Sequence, residues 1–213
     1  VNLKKNKLVK FKNYISYTNL LKCNYNLIFN CDKENFISKK FFSKKIIKNY
    51  NSRAYITILK HEKILNNFTA TQIFTKKGPL AFLPVSSTET SVVYSIKGKK
   101  NFDIKDSIKK HNTKYKILKI DDFLDFELKA SSLRSYYYKN IIAFGDMLHR
   151  LHPLAGQGFN MTIRDIKAMS KIVDDRMSLG LPIDISVAED FQSSTKHLNF
   201  LYGKAIDGIY EFF

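Results

Sequence analysis

Apolar and polar positions divide the chain into a strand-rich front and a helical end. Tyr25–Asp32 reads as a buried strand ending in an acidic residue. Arg53–His61 has β-branched residues and partial alternation, and predicts a second strand; Asn67–Phe74 and Ser91–Ser95 predict two more. Gly78–Val85 is an apolar run bracketed by Pro79 and Pro84, which suggests an edge or a loop instead of a central strand, because proline offers no N–H. Asp103–Lys110 reads as a short helix and Tyr115–Ile120 as a strand. Ile141–Phe144 reads as a short buried strand running directly into Gly145-Asp146. After a loop with one proline and two close glycines the period changes. Phe159, Ile163, Ile166, Met169, Val173 and Met177 recur at steps of three and four. They predict a helix from near Gly158, with that stripe in the core and Arg164, Lys167, Lys171 and Asp174 facing water. Gly180-Leu181-Pro182 ends it; a second helix is expected from Ser186 to about Tyr202, and a further one to Phe213.

The 213 residues suffice for one or two domains with a buried core. A formal charge of +17 invites nucleic acid or an anionic membrane as partner. The lysine doublets are scattered, however, and lysine far outnumbers arginine, which fits a chain-wide compositional bias better than a binding patch. No nucleic acid is therefore expected, and of the two partners peripheral membrane contact ranks above nucleic acid. Cys23 and Cys31 form no CxxC pair, so neither zinc nor a disulfide framework is indicated. No apolar run is long enough to span a bilayer, and the lysine-rich start lacks the apolar core of a signal peptide. The expected compartment is the cytoplasm, with peripheral placement on the inner membrane face. His149 and His152 have metal-ligand spacing, but Arg150 lies between them, Pro153 follows and no third ligand is near, so no metal is expected. Asp121, Asp122 and Asp125 read as solvated turn residues.

The stretch from Ile141 to Asp165 carries the chemistry. A carboxylate just past a strand end, as at Asp146, can accept hydrogen bonds from a sugar or ribityl hydroxyl. Gly156 and Gly158 let backbone approach a flat ligand, and a helix start behind them favours partial negative charge in front of it. Gly145-Asp146-x-x-His149-x-x-His152-Pro153-Leu154-Ala155-Gly156-Gln157-Gly158-x-Asn160-x-x-x-x-Asp165 resembles the second flavin-binding motif of FAD-dependent aromatic monooxygenases. The form with glutamine is similar to the ubiquinone-biosynthesis hydroxylases of the UbiH/UbiF type. The chain departs from them at Met147-Leu148, where two alanines are usual, and at Thr162, where glycine is usual. Tyr25–Asp32 resembles the middle motif of the same family, with Asp32 at its aspartate and Asn35 at the following asparagine, although Lys33 replaces a glycine. Ala70-x-Gln72-x-Phe74 followed by Gly78-Pro79-Leu80-Ala81-Phe82-Leu83-Pro84 resembles its substrate-domain sheet.

The resemblance implies an α/β (α+β) chain: part of a Rossmann-like FAD domain with an inserted, mainly antiparallel substrate-domain sheet. Its parts would be residues 1–50, a residual piece of the FAD domain; 51–125, the substrate sheet; 126–185, the return to the FAD domain; and 186–213, the C-terminal helices. It implies FAD bound by Asp32, Gly145, Asp146, His152, Pro153, Ala155, Gly156, Gln157, Gly158, Phe159 and Asn160, and substrate lined by Gln72, Pro79, Leu80, Phe82 and Pro84. The implied reaction hydroxylates a polyprenylated phenol with NAD(P)H and O2 through a C4a-hydroperoxyflavin, with no catalytic side chain of the protein's own. Association with a membrane or with a ubiquinone-biosynthesis complex is a further implication. The family's GxGxxG turn for the ADP half of FAD does not occur in these residues, so the chain reads as an N-terminally truncated piece that binds FAD weakly alone. A flavin-less remnant or binding module of the same fold is the competing reading, and a basic nucleic-acid-binding protein ranks below both.

Overall fold

A computed structural model of the chain describes residues 25–98, 103–152 and 156–212. In chain order the elements are β1 (Ile28–Asn30), α1 (Phe36–Phe41), β2 (Lys45–His61), β3 (Thr71–Thr75), β4 (Gly78–Pro84), β5 (Glu89–Lys97), α2 (Ile104–His111), β6 (Ile117–Ile120), β7 (Leu124–Leu133), β8 (Tyr137–Tyr138), β9 (Ile141–Ala143), a 3-10 turn (Gly145–Met147), β10 (His149–Arg150), α3 (Gln157–Ser178) and α4 (Ile185–Phe212). They form two compact units. Among the described residues one draws on 25–47, 131–151 and 156–203, the other on 48–98, 103–130, 152 and 204–212.

The first unit is built on a three-stranded sheet in the order β1-β9-β8. β1 and β9 are parallel, with Ile28 opposite Ile141 and Asn30 opposite Ala143. β9 is a wholly buried apolar run, as expected of a parallel strand covered on both faces. Ile37, Phe42, Met147, Leu148, Met169, Val187 and Phe191 pack with it. Only Ile28–Asn30 of the Tyr25–Asp32 run is strand, and Phe29 is 47% exposed, so this segment is less buried than its composition suggests.

α3 starts one residue ahead of Gly158, and its inner face coincides with the expected apolar stripe only at Met169 and Val173. Phe159, Ile163 and Ile166 are exposed, whereas Met161, Asp165 and Met169 are buried. The stripe and the buried face differ because the true inner face includes a carboxylate, which a hydrophobic count scores as outside. α3 ends as expected: Gly180 is left-handed, with Leu181 N–H on the Arg176 carbonyl (2.9 Å) and Gly180 N–H on that of Met177 (3.2 Å). The two helices expected beyond it are one continuous α4. The Gly203 break falls inside it, because a helical glycine costs only about 1 kcal/mol, which long flanking helix outweighs.

The second unit holds most of the larger sheet, whose order is β10-β7-β2-β5-β4-β3 with β6 also paired to β2. β4 is interior, between β5 and β3, and not the edge or loop its prolines suggested. Pro79 and Pro84 fall near its two ends, which leaves the central amides of Leu80–Leu83 free to pair. Leu80 and Phe82 are buried with Leu59, Val92 and Tyr94 beneath α2. α2 is capped by Asp103, which accepts from the Lys105 N–H at 2.7 Å, and carries Lys109, Lys110 and His111 in its last turn, as the helix dipole favours. Asp121 is paired with Lys119 and Asp125, on β7, with Arg53. Among the described residues no helix is long and apolar enough to cross a membrane, and no cluster of three or more His, Cys, Asp or Glu could hold a metal ion.

Candidate functional site

Parallel pairing puts the carboxyl ends of β1 and β9 at the same edge, the position where open α/β sheets bind ligands. The chain leaves β1 through Cys31-Asp32 and β9 through Phe144 to Gly145-Asp146, so two motifs far apart in sequence meet there. The Phe144 N–H donates to the Asn30 carbonyl at 3.0 Å, holding the two exits together. Gly145 takes φ 64°, a left-handed conformation that reverses the chain into the 3-10 turn, and its carbonyl accepts from the Leu148 N–H at 2.9 Å. This leaves the Asp146 carboxylate exposed at the edge. The side chain of Asn30, which the sequence reading did not single out, is buried and donates to Ser38 Oγ (2.9 Å) while accepting from Asn35 Nδ2 (2.7 Å). Asn35 caps α1 by accepting from the Ser38 N–H at 2.9 Å. Ser38 Oγ also donates to the Asp32 carbonyl oxygen and lies 3.4 Å from Met147 Sδ, so the Asp32 turn and the Asp146 turn share one polar hinge.

The start of α3 is the third part. Gly156 sits at its N-cap with φ 67°, has no side-chain cap, and no acidic residue occupies the first turn. The first amides therefore keep their positive end open to an acceptor. A Cβ built on Gly156 or Gly158 meets nothing within 4 Å, so no protein atom demands glycine at Gly158; the space a side chain would fill is left in front of the helix. Gln157 Oε1 accepts from the Tyr202 hydroxyl and, at 3.3 Å, from Asn160 Nδ2, so this side chain ties α3 to α4. Phe159 is 73% exposed and Asn160 is exposed. Pro153 and Ala155 lie outside the described residues. Met147 and Leu148, larger than the usual alanines, are absorbed by the core. An exposed carboxylate, an uncapped helix start and glycines with open space fit the ribityl chain and the pyrimidine edge of a flavin.

The two histidines part company. His149 is buried on β10, with Nε2 2.5 Å from Asp165 Oδ2. His152 belongs to the second unit, where it is buried between Tyr210 (ring centroids 4.0 Å, stacked) and Tyr50 (4.9 Å, edge-on), with neither ring nitrogen hydrogen-bonded. Burial pushes its pKa down from 6.5 to about 4; the Asp207 carboxylate opposes that shift and Lys97 adds to it. Tyr50 donates to Asp207 Oδ1 at 2.5 Å, and its hydroxyl is held far above its usual pKa by burial and then by that carboxylate. The Tyr210 hydroxyl lies 2.5 Å from Ser52 Oγ.

No family model matches the chain. It is similar to the mitochondrial ubiquinone biosynthesis monooxygenase COQ6 of Dictyostelium discoideum, 29% identical over 89 residues that cover 41% of this chain and 18% of that protein. It is also similar to the protein of the same name from Caenorhabditis elegans, 23% identical over 206 residues covering 75% of this chain and 46% of the relative. The chain thus spans less than half the length of these relatives. Among solved structures it is similar to PqsL, a probable FAD-dependent monooxygenase from Pseudomonas aeruginosa, with TM-score 0.59 and 15% identity over 87% of this chain and 54% of that one. It is similar too to p-nitrophenol 4-monooxygenase PnpA from Pseudomonas putida DLL-E4, with TM-score 0.64 and 10% identity over 86% and 49% of the two chains. The fold is that of the FAD-dependent monooxygenases.

In this flavin-enzyme fold the substrate candidates are divided by the pleat of the sheet. Leu80 and Phe82 point into the core under α2. The opposite face carries Gln72, which pairs with Ala81, which in turn pairs with Val93 and that with Ile56. Leu83 shares that face, and Pro79 and Pro84 lie at the two ends of the strand. Leu83 and Pro84 also line a groove of about 380 Å³ with Leu65, Phe68 and Val85, three residues that the sequence reading did not single out. Their signal was weak, since single apolar residues in turns are ordinary on protein surfaces.

Proposed function

We propose that this chain is the flavin-motif and substrate-sheet portion of an FAD-dependent monooxygenase of ubiquinone biosynthesis, one that hydroxylates the ring of a polyprenylated phenol. The observation that supports the reading is that Asp32 and Gly145-Asp146 follow the carboxyl ends of the parallel β1 and β9, with Thr162 of α3, just past its uncapped Gly156–Asn160 start, 4.0 Å from where a Gly145 Cβ would lie. Bound FAD, reduced by NAD(P)H, would supply the oxygen-activating chemistry. Asp146 would accept hydrogen bonds from the ribityl hydroxyls, and the first amides of α3 would hold the pyrimidine edge, where a helix start favours negative charge. Gly156 and Gly158 let that backbone approach the ring. Gln72, Ala81 and Leu83 offer a mixed face to the phenol, and the groove of Leu65, Phe68, Leu83, Pro84 and Val85 takes its apolar tail. The same exposed apolar side chains, on a chain of net charge +17, suit a protein that works at the surface of an anionic membrane. No side-chain nucleophile is required, because the protein's part is to hold, orient and exclude water.

The test is an FAD titration followed by flavin fluorescence, with Asp146→Ala beside the native chain. Loss of a hydrogen bond to a charged group, about 1.5–3 kcal/mol, weakens binding roughly 10- to 100-fold. Equal binding by both proteins would sink the assignment of Asp146.

A further inference from the structure

The Asp146 turn and the start of α3 can serve one flat ligand only if their separation is set, and Asp165 is placed to set it. Asp165 is 1% exposed in the middle of α3. Its Oδ2 lies 2.5 Å from His149 Nε2, and its Oδ1 accepts from Asn199 Nδ2 of α4 at 3.0 Å. The buried Tyr136 side chain lies beside the group, next to Asn199 and Ser132. Among the described residues, His149 is the ionisable partner of this carboxylate. A carboxylate that far from water is tolerated only where donors meet its oxygens. α3 is therefore fixed in the rotation and depth at which His149 and Asn199 both reach Asp165. His149 in turn follows the 3-10 turn directly; its backbone neighbour Leu148 bonds Gly145, and β10 is registered against Ser131 and Ser132. Among the described residues His149 Nδ1 has no hydrogen-bond partner, so within them the contact with Asp165 is the ring's one polar tether. Asp165 lies eight residues into α3, roughly 12 Å along its axis from Gln157, and a rigid helix carries that constraint to its first turn.

We infer that His149 and Asp165 are positioning residues that, with Asn199, hold the Asp146 turn and the N-terminal turn of α3 at one fixed separation. The inference deepens the flavin reading and rests on it for its purpose, but the tether can be measured without ligand. The experiment is hydrogen exchange on the intact chain, comparing the native protein with His149→Leu and His149→Gln, the latter keeping an N–H donor for Asp165. His149→Leu is expected to speed exchange about tenfold in residues 145–150 and in the first hydrogen-bonded amides of α3, 160–164, together, leaving 141–143 unchanged, and His149→Gln to stay within about threefold of native. Native rates in both segments, a change in one alone, an equal rise everywhere, or no rescue by His149→Gln would each overturn it. Should His149→Leu fail to fold, Asp165→Asn, which keeps the volume and removes the charge, takes its place, and native rates in both segments there overturn the inference. An FAD titration of the same proteins separates the two ideas. A folded native chain without flavin affinity removes the flavin reading and leaves the tether, whereas flavin binding without coupled exchange removes the tether alone.

Discussion

Gly145 and His152 show how much a single position settles. At Gly145 the left-handed backbone is the cause of the turn that presents Asp146, while the nearest atom to an added Cβ is Thr162 Cγ2 at 4.0 Å. The constraint is therefore conformational and not steric. Gly145→Ala is expected to cost about 1 kcal/mol in denaturant unfolding. A sequence shows that glycine but not the angle that needs it. His152 is a different case: the motif marked it as a flavin residue, and the structure buries it in a tyrosine cage. Its folded pKa of about 4 lies below its ordinary 6.5, so the unfolded chain binds more protons between those values. Stability from this group is complete above about pH 6.5 and is lost as pH falls towards 4, by about 3 kcal/mol in total. Asp207 of α4 and Lys97 of β5 act on the ring, which Tyr50 of β2 and Tyr210 of α4 contact; Lys48 of β2 pairs with Asp207. His152→Phe keeps the stack without the titration. Its unfolding free energy between pH 4 and 6.5 should fall less steeply than that of the native chain; identical slopes would assign the acid sensitivity elsewhere.

The elements divide into those whose pattern sufficed and those whose surroundings overruled it. α2 and β9 follow from a cap, a charge gradient and a short apolar run. β4 was misplaced because prolines were weighed by presence and not by position within the strand. α3 misled through Asp165: a buried carboxylate met by His149 and Asn199 belongs to the inner face, yet nothing local marks it as buried, since both partners are distant in sequence. Two substitutions distinguish the faces of α3. Ile163→Gln, on the exposed part of the predicted stripe, should change stability by less than about 0.5 kcal/mol, whereas Met161→Ala, buried and outside that stripe, should cost roughly 2–5 kcal/mol. The reverse order in chemical denaturation would restore the apolar stripe as the core face.

Across the whole molecule, the sequence motif was legible because its chemistry is backbone chemistry: glycines, a helix start and a carboxylate at a strand end hold their meaning without knowledge of neighbours. What it left out is the set of groups that orient those parts, Asn30, Ser38, Asp165 as a buried partner and Asn199, each defined only by packing. Asp32, the Gly145-Asp146 turn and the Gly156–Asn160 helix start lie in the first unit and His152 in the second, while no GxGxxG turn occurs in these residues to cradle the ADP half. The most direct measurement is accordingly an equilibrium titration of the native chain with FAD, with Asp146→Ala as control and folding verified by far-UV circular dichroism. Weak but saturable binding, reduced about tenfold or more by Asp146→Ala, is the predicted result. A folded chain that binds no FAD, or binds it equally well without the Asp146 carboxylate, would contradict the account.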